Sequence, residues 1–85
     1  MRSTQVSVGT TATLVVDADN INRTVYLHAS SNSPVYYGGS AVTTSTGFLH
    51  EKDDGPLAIE IPINEKLYGI VSTGTETVTV LLPDA

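Results

Sequence analysis

The chain has no cysteine and no tryptophan, and only two of its 85 residues are histidine. Without cysteine it forms no disulfide and has no thiolate for catalysis or metal binding. Two histidines alone do not make the four-ligand set of a structural zinc site. We therefore expect a fold that is held together by packing alone, without a cofactor.

Positive charge is also scarce, since four basic residues stand against nine acidic ones and give a net charge of −5. The basic residues are scattered at Arg2, Arg23, Lys52 and Lys66. Nucleic-acid binding requires clustered Lys and Arg, and an anionic membrane surface attracts the same kind of cluster. No apolar run approaches the ~20 residues of a membrane-spanning helix. We expect neither nucleic acid nor a membrane as a partner.

The length indicates a single domain over residues 1–85, in which residues 1–5 are expected to form a flexible N-terminal arm. A chain this short buries only about 60–65% of the surface that it exposes when unfolded. Such a small core is marginal in isolation, and disulfides and zinc have already been excluded. Association with copies of itself or with another protein is the remaining way to gain stability.

Alternation of apolar and polar residues predicts an all-β protein. Residues 23–29 and 57–61 alternate without a break, and no segment has a helical period. The expected strands are residues 5–8, 11–17, 23–29, 35–37, 48–50, 57–61, 66–71 and 76–82, with 41–44 as a further segment that pairs locally. About eight short strands at this spacing favour a small antiparallel β-sandwich of Greek-key or jelly-roll type.

The inward positions of these strands define the expected core. Its members are aliphatic or aromatic residues on one face of each strand. The expected core is Val6, Leu14, Val16, Val25, Leu27, Val35, Phe48, Leu57, Ile59, Ile61, Leu67, Val71, Val78 and Val80.

Two acidic clusters are the first candidates for chemistry. Asp17 and Asp19 lie in a turn-rich segment that lacks the glycine and glutamate of an EF-hand loop, so we expect an Asx-type turn there. Glu51, Asp53 and Asp54 precede a Gly-Pro pair, and we expect a solvated loop tip. A charged docking contact is the alternative for this second cluster.

The histidines do not complete a catalytic set. His28 lies on the outer face of its strand, and His50 borders the acidic turn, so both are expected at the surface or in an interface. No nucleophile elbow of the Gly-x-Ser-x-Gly type is present. We therefore do not expect an enzyme.

Tyrosines supply most of the aromatic surface, and tyrosine suits protein interfaces because it combines a large ring with a hydroxyl group. Adjacent strand residues face opposite ways, so only one of Tyr36 and Tyr37 can enter the core. The predicted contact residues are Tyr26, His28, Tyr36 and Tyr37, together with Arg2 and Gln5 of an N-terminal arm that could add a strand to a neighbour. Gly38 and Gly39 are expected to provide positive φ at a strand end.

Three segments resemble small virion proteins of tailed bacteriophages. The first is Ser-Pro-Val-Tyr-Tyr-Gly-Gly-Ser-Ala-Val-Thr at residues 33–43, followed by Gly-Phe-Leu at 47–49. The others are Lys-Leu-Tyr-Gly-Ile-Val at 66–71 and Ser-Thr-Gly-Thr-Glu-Thr-Val-Thr-Val-Leu-Leu at 72–82. The similarity spans about residues 25 to 82. The chain departs from the pattern at Tyr37, where relatives usually carry an aliphatic residue, and in the longer turn at 51–56.

The resemblance implies a head-associated protein that decorates or cements a capsid. Its partners would then be the major capsid protein and further copies of itself, for instance in a trimer. It would be located on the surface of the virion, and in the host cytoplasm during assembly. A tail or head–tail structural protein is an alternative of the same class. A glycan-binding module on the virion surface is an alternative of another class, because aromatic rings and many hydroxyl groups suit sugars.

Overall fold

The computed structural model describes residues 1–29, 34–51 and 55–83. In this part of the chain every regular element is a β-strand, as the alternation predicts. The strands are β1 (Arg2–Val8), β2 (Thr13–Val16), β3 (Arg23–Ala29), β4 (Val35–Gly38), β5 (Phe48–His50), β6 (Leu57–Ile61), β7 (Leu67–Ile70) and β8 (Glu76–Leu82).

The strands form two antiparallel four-stranded sheets. Sheet A has the order β1-β8-β3-β6, and sheet B has the order β2-β7-β4-β5. Within the sheets β1 pairs with β8, β2 with β7, β3 with β6 and β4 with β5. These four pairs describe one long antiparallel ribbon that is wrapped into two layers, and additional β3–β8 and β4–β7 pairs close each layer. This is the jelly-roll form of the β-sandwich.

The core lies between the sheets and is built from both. In β3 and β8 every second side chain is buried, because these are interior strands with one face on the core and one in solvent. The buried cluster consists of Val8, Val15, Val16, Val25, Leu27, Ala29, Val35, Tyr37, Ile61, Val71, Val78, Val80 and Leu82, with Val6, Leu57, Ile59 and Leu67 partly buried against it. Most of the expected core is confirmed.

Leu14 is an exception, because 38% of its surface is exposed. The pairing of β2 with β7 shifts between Leu14 and Val16, which is a β-bulge. The extra residue breaks the alternation, so Val15 and Val16 are both buried and Leu14 faces outward. The expectation that Leu14 and Val16 share a face is therefore wrong.

Phe48 is the second exception, with 66% of its surface exposed. It lies directly opposite Tyr37 in the β4–β5 pair and so projects to the inner side of sheet B. However, β5 is the outermost strand, and Phe48 lines an open apolar cleft beside Leu57 and Ile59 of β6. Its inward direction is as expected, but its burial is not.

Two segments differ from their expected structure. Residues 41–44 form turns rather than a strand, and Gly47 N–H donates to the Thr43 carbonyl oxygen at 2.9 Å. Arg2 to Gln5 do not form a free arm, because they pair with Leu82 to Thr79 as part of β1. The outer side of β1 is nevertheless an edge of sheet A.

The loops place glycine where the backbone needs it in two cases. Gly55 and Gly74 have φ of 72° and 67°, and Gly74 lies in the loop that connects β7 of sheet B to β8 of sheet A. Gly38 and Gly39 do not have positive φ, so the expectation that they provide positive φ at a strand end is wrong.

Of the second acidic cluster, Glu51 is exposed, whereas Asp53 and Asp54 lie outside the described residues.

Candidate contact surfaces

The outer face of sheet B carries apolar side chains where a solvated face would carry polar ones. In β4, Val35 and Tyr37 are buried, so Tyr36 points to the opposite side of the sheet. Tyr36 lies opposite Leu49 of β5 and opposite Ile70 of β7. Residues directly opposite in neighbouring strands share a face, so these three form one apolar row across the sheet.

A second row lies beside the first. Tyr68 precedes the buried Gly69 and is therefore on the same outer face as Ile70. Its partner in β2 is Leu14, which the bulge has turned outward. We call Leu14, Tyr36, Leu49, Tyr68 and Ile70 the apolar face. None of the five is charged, and each retains contact with solvent.

The loop of residues 39–47 borders the apolar face and fixes its shape. Val42 of this loop is 7% exposed although it does not belong to the main core. A Cβ at Gly38 would lie 2.9 Å from Val42 Cγ2, and a Cβ at Gly47 would lie 2.5 Å from Tyr36 Cβ. The two glycines are therefore required for close packing of the loop against sheet B rather than for an unusual φ.

The outer face of sheet A has a different chemistry. We call it the hydroxyl face, because most of its side chains carry a hydroxyl group. Its members are Ser3, Gln5 and Ser7 of β1; Thr77, Thr79 and Leu81 of β8; Thr24, Tyr26 and His28 of β3; and Ala58 and Glu60 of β6. Tyr26 is 46% exposed and lies between Leu81 and Ala58 on the neighbouring strands. The Thr79 hydroxyl donates to the carbonyl oxygen of His28 at 3.0 Å.

The structure separates the contact residues predicted from the sequence. Gln5, Tyr26 and His28 come together on the hydroxyl face, where Gln5 and His28 are both opposite Thr79. Tyr36 lies on the apolar face of the other sheet. Tyr37 is only 2% exposed, so it is the tyrosine that enters the core, and its inclusion among the contact residues is corrected.

Arg2 lies at one end of the sandwich, apart from the other predicted contacts. It lines a shallow cavity with Asp17, Asp19 and Arg23. Arg23 is 4% exposed and donates from Nη2 to the Asp17 carbonyl oxygen at 3.0 Å. The Asp17 and Asp19 carboxylates each accept a bond from the next backbone N–H, at 2.7 Å, within the expected turn. The described residues include no group of three His, Cys, Asp or Glu placed to hold a metal ion.

His50 was expected near the surface, and this expectation is wrong, because 2% of the residue is exposed. Its Nε2 donates to the carbonyl oxygen of Gly55 at 2.7 Å, a bond that requires the tautomer with the proton on Nε2. The ring packs against Tyr37, with centroids 6.1 Å apart. Burial, with a smaller contribution from the negative charge of Glu76, raises the pKa of Tyr37 far above its usual range. The Tyr37 hydroxyl is buried without a hydrogen-bond partner among the described residues.

Sequence reasoning missed most of the apolar face. Leu14 was assigned to the core, and Ile70 and Leu49 were not singled out. One signal was available. Residues 67–71 are apolar at consecutive positions around a glycine, which indicates a strand that is apolar on both faces. Because only one face of a strand in a two-layer sandwich packs on the core, the other apolar face must lie on the outside. The bulge that adds Leu14 had no comparable signal.

Comparison with known proteins adds no relative. No protein-family model matches the chain, and the searches of curated proteins and of solved structures give no significant match either. No helix in the described part of the chain has the length and apolarity needed to cross a membrane. The two outer faces and the free strand edges are thus the features from which a function can be argued.

Proposed function

We propose that this chain is a structural protein that docks on a larger protein assembly through the apolar face. The observation that carries the proposal is the contiguity of five large uncharged side chains, Leu14, Tyr36, Leu49, Tyr68 and Ile70, on the outside of sheet B. Single exposed apolar residues are common on soluble proteins, whereas a contiguous apolar patch marks an interaction site.

The chemistry of this face matches the centre of a protein–protein interface. Interface centres are depleted in charge and enriched in tyrosine, because its ring fills a pocket while its hydroxyl keeps a polar partner. Tyr36 and Tyr68 provide two such rings, and Ile70 lies between them on the same face. Burial of this apolar surface against a partner would contribute about 25 cal/mol per Å² to the free energy of binding. The loss of translational, rotational and side-chain freedom on association offsets part of that gain. A small domain gains stability from such binding as well.

We further propose that the assembly is a bacteriophage capsid and that the chain acts as a decoration or cement protein. This part rests on the resemblance of residues 25–82 to small virion proteins. A capsid repeats one binding site over its whole shell, so a modest contact at the apolar face is multiplied many times. The jelly roll is compatible with this role, since capsid and lectin domains both use it, but a fold alone does not determine a function. Tail and head–tail positions are variants of the same proposal.

Purified particles of the virus that encodes the chain provide the test. Mass spectrometry of such particles should find the chain at a fixed ratio to the major capsid protein, on the outside of the shell. A few copies per particle, found with the tail, would favour the tail variant. Particles that lack the chain altogether would contradict the virion role.

Glycan binding is a second candidate, and the hydroxyl face is the observation that favours it. Tyr26 borders a shallow depression with Ser3, His28 and Thr79. An exposed ring with hydroxyl and imidazole groups around it can stack on a sugar and bond to its hydroxyls. A glycan-array signal that is lost in Tyr26→Ala and kept in Tyr36→Ala would establish this function on the hydroxyl face. Absence of any signal would exclude it for the glycans on the array.

A further inference from the structure

Each of the two sheets has two edge strands, and an unprotected edge invites another strand to pair with it. In sheet B both edges are protected. β5 (Phe48–His50) has three residues, and β2 (Thr13–Val16) has four residues with a bulge. Short strands and bulges are the usual means of preventing edge pairing.

The β6 edge of sheet A is protected in another way. β6 (Leu57–Ile61) lies between Pro56 and Pro62, which have no backbone N–H to donate, and it carries the charged Glu60. A strand that approached β6 would meet a proline at either end. Three of the four edges therefore carry a device against strand addition.

The β1 edge of sheet A is the least protected, because its one charged residue, Arg2, lies at the very end of the strand. All seven residues of β1 pair with β8 in one unbroken register, and the strand contains no proline, glycine or bulge. Among the described residues, β8 is the only strand hydrogen-bonded to β1, and no turn or loop backbone group bonds to it. Its outer row of N–H and C=O groups is therefore open to a further strand.

The distribution of acidic residues determines whether a second copy of this negatively charged protein can approach the β1 edge. The protein has a net charge of −5, so two copies repel each other in most orientations. However, the first acidic residue is Asp17, and residues 1–16 contain none of the nine. The side chains of Thr77, Thr79 and Leu81 beside β1 on the outer face are also uncharged. When the β1 strands of two copies approach each other, neither strand therefore brings an acidic side chain into the contact.

We propose that a second copy of this chain pairs antiparallel with β1, with the twofold axis beside Gln5. In this register Gln5 lies opposite Gln5 of the second copy, Thr4 opposite Val6, and Ser3 opposite Ser7. Even-numbered residues meet even-numbered ones, so the inner and outer faces of the two sheets stay aligned. The half-buried Val6 is covered by Thr4 of the second copy, and the two Arg2 side chains lie at opposite ends of the contact. The two A sheets become one eight-stranded sheet.

This dimer would serve the proposed docking function. A twofold axis perpendicular to the joined sheet keeps both B sheets on the same side, so the two apolar faces point in one direction. A dimer could then engage two sites of a repeating lattice, and the second contact would be intramolecular. Engagement of two lattice sites at once rests on the proposed function. Dimerisation does not depend on that function, and it can be measured without any partner protein.

Charge exchange at Gln5 tests the dimer with the full chain. Gln5 is exposed on the outer face, so Gln5→Glu and Gln5→Lys should leave the fold intact, which circular dichroism and thermal melting will check. Ala58→Glu introduces the same charge on the same face of the protected β6 edge and is the matched control. Sedimentation equilibrium up to about 1 mM chain would give the dissociation constant of each protein.

We expect wild type and Ala58→Glu to sediment with twice the 8.9 kDa mass of the chain. Each Gln5 variant alone brings like charges together across the axis, so its dissociation constant should be about tenfold higher than that of the wild type, or the variant should be monomeric. An equimolar mixture of Gln5→Glu and Gln5→Lys should restore the dimer. A wild type that stays monomeric over the whole range would overturn the proposal, and so would an oligomer that is unaffected by the Gln5 variants.

Discussion

Tyr36 lies directly opposite Ile70 in the β4–β7 pair, and both side chains point away from the core. Tyr37, the next residue, is opposite Gly69 and is buried between the sheets. One step along the chain thus separates a residue of the apolar face from a residue of the core. This alternation allows the contributions of the two tyrosines to stability and to binding to be measured separately.

Alanine at the two positions should have unequal effects on stability. Tyr37→Ala empties part of a small core and should lower the free energy of unfolding by about 3–5 kcal/mol, which is comparable to the whole stability of a domain this small. Tyr36→Ala removes a half-buried ring and should cost about 1 kcal/mol. Urea unfolding followed by circular dichroism would compare them. Equal losses would mean that the assignment of Tyr37 to the core is wrong.

Stability should decline at alkaline pH because of Tyr37. Its pKa is raised in the folded state by burial and by Glu76, so the unfolded chain ionises at a lower pH, near the ordinary value of 10.0. Below that pH the side chain is neutral in both the folded and the unfolded chain, and stability does not depend on its titration. Above it the unfolded chain loses the proton first, so the free energy of unfolding falls by up to about 1.4 kcal/mol per pH unit.

Tyr37→Phe is the matched control for this pH dependence. It keeps the ring and removes a buried hydroxyl that has no hydrogen-bond partner in the described part of the chain, so stability at neutral pH should not fall. Urea unfolding of both proteins between pH 8 and pH 11.5 would show a steeper decline for the wild type. Parallel declines would show that Tyr37 is not the group responsible.

Two glycines should differ in their tolerance of alanine. A Cβ at Gly47 would lie 2.5 Å from Tyr36 Cβ and 3.1 Å from the Thr43 carbonyl oxygen, so Gly47→Ala must displace the loop. We expect a loss of about 1–3 kcal/mol. A Cβ at Gly39 meets no atom within 4 Å, and Gly39→Ala should be neutral or slightly stabilising. Thermal melting of both variants checks this, and a neutral Gly47→Ala would contradict the packing of the loop on sheet B.

The fold could be predicted largely because the residues between the turns alternate. β3, β6 and β8 were expected with their observed bounds, since each keeps a two-residue period over its whole length. The errors lie where the period fails. The bulge beside Leu14 and the open edge beside Phe48 depend on how strands pair, and pairing is a long-range property that a local pattern does not contain.

The candidate surfaces were predictable only in part, for the same reason. Strand polarity placed Tyr26 and His28 on an outer face, and the β3–β8 register then brought Gln5 of β1 to the same face. The expected burial of Val35 already implied that Tyr37, two residues further along the same strand, faces the core, yet both tyrosines were predicted as contact residues. The sequence could not bring Leu14, Tyr68 and Leu49 together, since they come from three strands that are distant in the chain.

The most direct test of docking through the apolar face compares two exposed leucines on opposite sheets. Leu49 of the apolar face is 45% exposed and Leu81 of the hydroxyl face is 41% exposed, so Leu49→Lys and Leu81→Lys make the same change at similar exposure. If the proposed capsid role holds, each purified variant would be mixed with capsids that lack the chain, and bound copies would be counted by mass. We expect Leu49→Lys to lose most of its binding and Leu81→Lys to bind like wild type. Full binding by Leu49→Lys, or loss of binding in Leu81→Lys alone, would contradict docking through sheet B.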